Sequence, residues 1–292
     1  MKNFFVFILS LMISSLSFGQ TPSLLVTPAW VAEHINDPDL VILHIAQNRH
    51  DYVKEHIPGA RLLWPGWMAM SNPDLSYEAL PVAQLDTTLE ALGISNKSRI
   101  VLYGWNGNVS AQARMYITLD YLGMGDKTFI LDGGIEAWKA AGHEITKDLP
   151  RMKRGSFKPK LKKDTFVHAD YVKERLGNPQ YSILDARAPE FYSGKNSGGF
   201  PRAGHIPGAQ NIFFTTLFDS TNKYLPIDSL KAMFARAGVK SGNEVISYCH
   251  VGQTASPLYI VARLLGYNAH LNDGSFEEWS GREDLPIEPA SK

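Results

Sequence analysis

The pentapeptide His-Ile-Pro-Gly-Ala occurs twice in this chain, at 56–60 and at 205–209. Other matches surround it. An apolar run precedes each copy, LVILHIA at 40–46 and YSILDAR at 181–187. Downstream, SRIVLYG (98–104) pairs with NEVISYC (243–249), and YITLDYLGM (116–124) with YIVARLLGY (259–267). Last, LDGGIEAW (131–138) pairs with LNDGSFEEW (271–279). The order is the same in both halves. A period of about 145 residues is far too long for a solenoid repeat, so it marks a duplicated domain. Whatever fold the first half adopts, the second adopts too.

Within each half, short apolar runs such as IVLY and VISY alternate with helical patterns. Four-residue continuous apolar runs suit parallel strands buried on both faces. SPLYIVARLLGY carries apolar residues at 258, 260, 261, 264 and 265, the stripe of an amphipathic helix. The alternation predicts two α/β domains with right-handed crossovers. The expected division is a leader over 1–20, a first domain over 21–146, a linker over 147–164 and a second domain over 165–292. The linker, KDLPRMKRGSFKPKLKKD, holds eight Lys or Arg and three Pro or Gly, which predicts a solvated surface segment.

The first 20 residues read as a secretory signal peptide: Lys2, an apolar core from Phe4 to Met12, then small and polar residues to Gln20. That core is too short for a comfortable membrane span. Cleavage is expected near Gly19 or Gln20, giving an exported protein, periplasmic or extracellular. The formal net charge is zero, so composition points to neither nucleic acid nor a membrane surface as partner.

An exported chain often pairs its cysteines, but this one has a single cysteine, Cys249. A leftover thiol is either a small buried hydrophobe or a reactive group. The two copies discriminate. Tyr248-Cys249 corresponds to Tyr103-Gly104, and Asp185-Ala186-Arg187 to His44-Ile45-Ala46. The thiol and the charged pair occur only in the second copy, so one copy reads as structural and the other as reactive. The cleft between them is the expected place for a small substrate.

Cys249 sits in YCHVGQTAS, between a strand and a helix expected to start at Thr254 to Pro257. Several backbone N–H groups there have neither ladder nor helix partners. Gly252 permits a tight or left-handed turn, and the helix N-terminus adds partial positive charge. Such a loop is expected to favour thiolate, the nucleophilic form. His250 either adds charge when protonated or faces solvent. Thr254 is expected to cap the helix and touch the site. A cysteine phosphatase needs an arginine six residues after its cysteine; here that position is Ala255, and 250–262 contains no Lys or Arg. That class is excluded on the missing charge partner.

YCHVGQTAS after a strand, HIPGA in both halves, DAR followed by PEFYSG, and the DG(G/S)xExW pattern together resemble the two-domain rhodanese family of sulfurtransferases. The resemblance spans about residues 22 to 287. It implies tandem domains, each with a central parallel five-stranded sheet flanked by helices, the second copy being catalytic. It implies sulfane-sulfur transfer from thiosulfate to a thiophilic acceptor, cyanide in the assay, through a Cys249 persulfide and with no metal or organic cofactor. A 3-mercaptopyruvate donor is the alternative, and a non-catalytic sulfur-carrier or partner-binding module the second. The implied substrate-binding set is His250, Val251, Gly252, Gln253 and Thr254, with Arg187 and Arg202. The sequence departs from the family in lacking basic or small residues directly after the cysteine, and in having Phe191 four residues after Arg187, where some members carry an arginine. The expected partners are a small anionic sulfur donor and its acceptor, with the protein acting as a monomer, bound to neither nucleic acid nor, after cleavage, membrane.

Overall fold

The structure is a computed structural model and describes residues 23–105 and 107–289. The expected leader lies outside the described residues. The strands are β1 (Leu25–Val26), β2 (Leu40–Ile45), β3 (Arg61–Leu63), β4 (Ala69–Met70), β5 (Glu78–Ala79), β6 (Arg99–Gly104), β7 (Thr128–Leu131), β8 (Phe166–Val167), β9 (Tyr181–Asp185), β10 (Gln210–Asn211), β11 (Glu244–Tyr248) and β12 (Asn268–Asn272). They form two five-stranded parallel sheets, ordered β1-β7-β6-β2-β3 and β8-β12-β11-β9-β10. Counted within each copy, both orders are first, fifth, fourth, second, third. The central strands β2, β6, β9 and β11 are the apolar runs of the sequence, flanked by helices as a parallel sheet requires.

The repeated motifs carry the scaffold twice. Tyr52 donates its hydroxyl to the Ala60 carbonyl and Tyr192 to Ala209, each at 2.8 Å. The rings of Tyr52 and His56 stack at 4.2 Å, those of Tyr192 and His205 at 4.0 Å. The N–H groups of Ile57 and Ile206 donate to the hydroxyls of Tyr103 and Tyr248, at 3.1 and 3.2 Å. Trp138 and Trp279 each donate an indole N–H at 2.7 Å to a carbonyl further along, Glu144 and Pro286. Each such buried bond contributes about 1 kcal/mol net, and leaving its partner unsatisfied costs more. HIPGA is therefore a turn that locks strand to helix, in both halves.

Helix Val109–Tyr121 of the first copy packs against helix Ser256–Leu264 of the second. One apolar cluster runs through both copies, so the interface is continuous with the core. Helix Val109–Tyr121 is buried from Val109 to Asp120, although it contains Gln112, Arg114, Thr118 and Asp120. Those polar side chains face partners. Asp120 accepts from the Tyr259 hydroxyl at 2.6 Å and pairs with the Lys162 ammonium at 2.6 Å.

Each copy also lends the other a strap. In the first copy it includes the antiparallel pair β4–β5, and Ala79 N–H donates to Asp273 of the second copy at 3.2 Å. In return Tyr224 N–H donates to Asp132 at 3.0 Å. The linker over 147–164 runs along the surface as expected, exposed over most of its length, and is pinned at a few points. Phe157 is buried, and Gly155, Lys160 and Lys162 donate backbone N–H groups to Glu90, Leu122 and Tyr121.

Candidate active site

β11 ends at Tyr248, and Cys249 opens the loop that leads into helix Ser256–Leu264. The loop is tied by its carbonyls. That of Cys249 accepts from Phe276 N–H at 3.1 Å, and that of His250 from Glu277 N–H at 3.0 Å. The Gly252 carbonyl accepts from the Ser256 hydroxyl at 3.1 Å and from Arg114 Nη1 at 3.4 Å. The Gln253 carbonyl accepts from Ser256 N–H at 3.2 Å. In a trans peptide the C=O and N–H of one plane point in opposite directions, and the described chain has no cis bond. The N–H groups of His250, Val251, Gln253 and Thr254 therefore face away from all those partners. Among the described residues, none of the N–H groups of His250 to Ala255 has a protein acceptor. An unpaired run of amides next to a sulfur is a ready anion site.

Gly252 takes the left-handed conformation, φ +74°, and a Cβ there would meet the Asp273 carbonyl at 2.7 Å. Only glycine fits. Behind the cysteine, Ser275 also lies in left-handed space, φ 51°, which is costly for a residue with a Cβ. Its hydroxyl accepts from Cys249 N–H at 3.2 Å and donates to the Asn272 carbonyl at 2.7 Å. The strain is offset by fixing the cysteine backbone.

Several site expectations are corrected. Cys249 is 1% exposed and joins the core cluster, so of the two states open to a lone thiol the structure places it on the buried side. A recess of about 870 Å³ on the first copy, flanked by Trp64, Trp67, Leu149 and Met152, contains no residue of the cysteine loop. Thr254 does not cap the helix: the helix starts at Ser256, within the expected range, and its cap position is Ala255, without a side-chain bond. His250 neither faces solvent nor brings charge. Its ring stacks on Phe200 at 5.3 Å and meets Phe191 edge-on at 4.7 Å. Burial, then the Arg187 charge, push its pKa below the usual histidine value, so it is neutral at neutral pH.

Neither arginine has a free fork. Arg187, buried with Asp185, donates to both carboxylate oxygens, through Nη2 at 2.6 Å, and reaches the Gly204 carbonyl at 2.8 Å. It also lies 3.9 Å from the Phe276 ring centre. Arg202 donates to the carbonyls of Ser280, Leu285 and Trp279 at 2.9, 2.8 and 2.7 Å, and to that of Arg282. Both hold the fold around helix Ser275–Gly281. The residues missed in the sequence are Ser275, Asp273, Tyr77 and Arg114. The change from Gly134 to Ser275 between the copies was a visible signal; nothing local marked Tyr77 or Arg114, which come from the other domain.

Two fused copies of one parallel-sheet fold, with a lone thiol in an amide-bearing loop of the second, define a tandem α/β protein. The Rhodanese-like domain family model matches residues 27–141 and 168–282, and the chain belongs to that family. A chain from Pseudomonas aeruginosa named "Probable 3-mercaptopyruvate sulfurtransferase" is 32% identical over 282 residues, 90% of this chain and 97% of that one. "Thiosulfate sulfurtransferase" from Azotobacter vinelandii is 27% identical over 277 residues, 93% of this chain and 98% of that one. The crystal structure of the anaerobic ergothioneine biosynthesis enzyme from Chlorobium limicola superposes with a TM-score of 0.82 at 23% identity, covering 92% of this chain and 70% of that one. The last comparison speaks to fold alone.

Proposed function

We propose that this protein is a sulfurtransferase that takes the outer sulfur of thiosulfate on Cys249 and hands it to a thiophilic acceptor. The Cys249 thiolate attacks that sulfur, the sulfur–sulfur bond breaks, and its electron pair leaves with sulfite. The acceptor, cyanide in the assay, then attacks the persulfide's outer sulfur. Thiocyanate departs and the thiolate returns. Splitting the transfer into two displacements is nucleophilic catalysis. The unpaired amides of His250 to Thr254 are the groups available to hold the anionic sulfur and the leaving charge. The observation that carries the reading is the outward tying of the loop carbonyls, which leaves those amides free beside the only thiol. Thiocyanate should form from thiosulfate and cyanide, and Cys249→Ser should abolish it; undiminished formation in that variant would end the reading.

3-Mercaptopyruvate is the second reading for the donor. It is favoured by the lack of Lys or Arg in 250–262 and by the commitment of Arg187 and Arg202 to other partners, so neither arginine offers a free fork to a sulfonate. The ratio of kcat/KM for the two donors decides, and tenfold corresponds to about 1.4 kcal/mol. The leader-like N-terminus supports action outside the cytoplasm.

A further inference from the structure

Arg114 belongs to the copy without a cysteine, yet its guanidinium ends at the cysteine loop of the other copy. Its side chain is fully buried. Nη1 pairs with the Asp273 carboxylate and donates to the Gly252 carbonyl at 3.4 Å; Nη2 donates to the Tyr77 carbonyl at 3.1 Å. One planar fork thus ties together a loop peptide, the aspartate beside Gly274, and the turn of the first copy's strap. Its face lies 4.6 Å from the Phe166 ring centre, which leaves the group little room to reorient. Tyr77 itself holds a left-handed φ of 63°, a conformation a tyrosine keeps only when its surroundings impose it. On the repeat pairing of Tyr116 with Tyr259, Arg114 corresponds to Pro257. The second copy therefore has no guanidinium at the equivalent position; its Arg263 does cross the interface, but to Asp120 and Asp126 rather than to the loop after β6.

We propose that Arg114 is a positioning residue for the sulfur-transfer site: by holding the Gly252 carbonyl outward from across the domain interface, it fixes the Gly252–Gln253 peptide plane and so aims the Gln253 N–H toward the bound sulfur anion. The inference rests on the proposed function only for the identity of that anion. A buried arginine that only paired with Asp273 would need no second contact on the loop. Ser256 also holds the Gly252 carbonyl, from within its own helix, so loss of Arg114 loosens the plane without freeing it. The charged and titratable groups around the fork are Asp273, Glu78, His168, Glu278 and Tyr77, while Asp185 and Arg187 face His250 in the cysteine loop, and the N–H of Glu277 donates to the His250 carbonyl.

The test uses Arg114→Lys and Arg114→Met in the full chain. Lysine keeps the positive charge beside Asp273 and loses the planar fork; methionine loses both. Because Cys249 is the only cysteine, its ionisation can be followed by thiolate ultraviolet absorbance against the same variant with Cys249→Ser added. Loss of one aimed amide should raise the thiol midpoint by about half to one pH unit in both variants. The kcat for thiosulfate should fall about tenfold, with KM changed less. A shift in Arg114→Met with none in Arg114→Lys would mean that only the charge is felt, and would overturn the positioning role. So would an unchanged midpoint in both. If the methionine variant does not fold, the lysine variant decides alone, on the same criterion. The absorbance titration needs no donor, so it stands even if wild-type protein fails to turn over thiosulfate, an outcome that would overturn the proposed function instead.

Discussion

The loops after β6 and β11 leave the same end of the same kind of sheet, and they are built in opposite ways. After β11 the carbonyls are tied outward and the amides are left free. After β6 the loop has closed on itself. The Gln112 side chain accepts from Gly104 N–H at 2.8 Å, and Asn108 accepts from Ala111 N–H at 3.4 Å. A Cβ on Gly104 would meet the Asn108 carbonyl at 3.1 Å. An acceptor oxygen sits where the second copy has its thiol. Behind the loops, Gly134 occupies the left-handed position that Ser275 holds in the other copy, so no hydroxyl reaches back. The strand partner differs too. His44 stands opposite Tyr103 where Asp185 stands opposite Tyr248, and burial pushes His44 down to about 3, so it carries no charge. The straps complete the contrast. Tyr77 and Asn222 hold the same left-handed turn, but Tyr77 reaches Arg114 at the cysteine loop and Asn222 covers Gly107 of the closed one. Scaffold bonds survive in both copies, while among the described residues the thiol, the Ser275 hydroxyl behind it and the Asp185–Arg187 pair occur only in the second. Duplication kept the fold twice and the site once.

That contrast can be broken at specific points. The largest effect is expected at Gly252→Ala, where a Cβ meets backbone at 2.7 Å in a conformation reserved for glycine. Sulfur transfer should fall by ~100-fold or more, about 2.7 kcal/mol, while circular dichroism keeps the α/β signature; near-normal turnover would show that loop shape is not needed. Ser275→Ala should come next. It removes the acceptor of Cys249 N–H but keeps the Cβ in left-handed space, and kcat/KM should drop about tenfold. Ser275→Gly, which also relieves the strain, should lose activity while melting no lower than Ser275→Ala.

A smaller effect concerns stability at the interface. Burial, reinforced by Asp273, raises Glu78 to about 7, above its ordinary 4.5. An acid raised on folding binds more protons in the native state between those values, so stability falls as pH climbs from about 4.5 to 7. His168 is also raised, chiefly by its bond to Glu278, and the stability from its charge is lost as pH rises through its folded value, in the same direction. Glu78→Gln should flatten this slope and melt about 2 to 4 °C higher than wild type near pH 8, the shift that ~1 kcal/mol produces in a large domain. An unchanged slope would remove Glu78 from the account. The smallest effect is the reverse graft. Gly104→Cys should give no second persulfide, because its Cβ would meet the Asn108 carbonyl at 3.1 Å; a labelled sulfur on that residue would erase the contrast.

Much of this was legible in one sequence. Duplication, sheet class and the strand-to-helix setting of Cys249 all follow from local motifs, since strands, turns and a lone thiol write themselves over a few residues. Gly252 was readable for the same reason. Arg187 was readable as one half of a charged pair with Asp185; the roles of Arg202 and His250 were not, because whether a fork is free or a ring is buried depends on groups as far away as Leu285 and Phe200. Thr254 missed the cap position by one residue, a margin that local capping signals do not fix. Arg114 and Tyr77 were out of reach altogether, being more than a hundred residues from the loop they touch.

The most direct measurement is the mass of the intact chain after exposure to thiosulfate, with the modified residue located by fragmentation. The account predicts a gain of one sulfur, placed on Cys249, removed by cyanide and absent from Cys249→Ser. A chain that gains no sulfur, or gains it equally without Cys249, would contradict it.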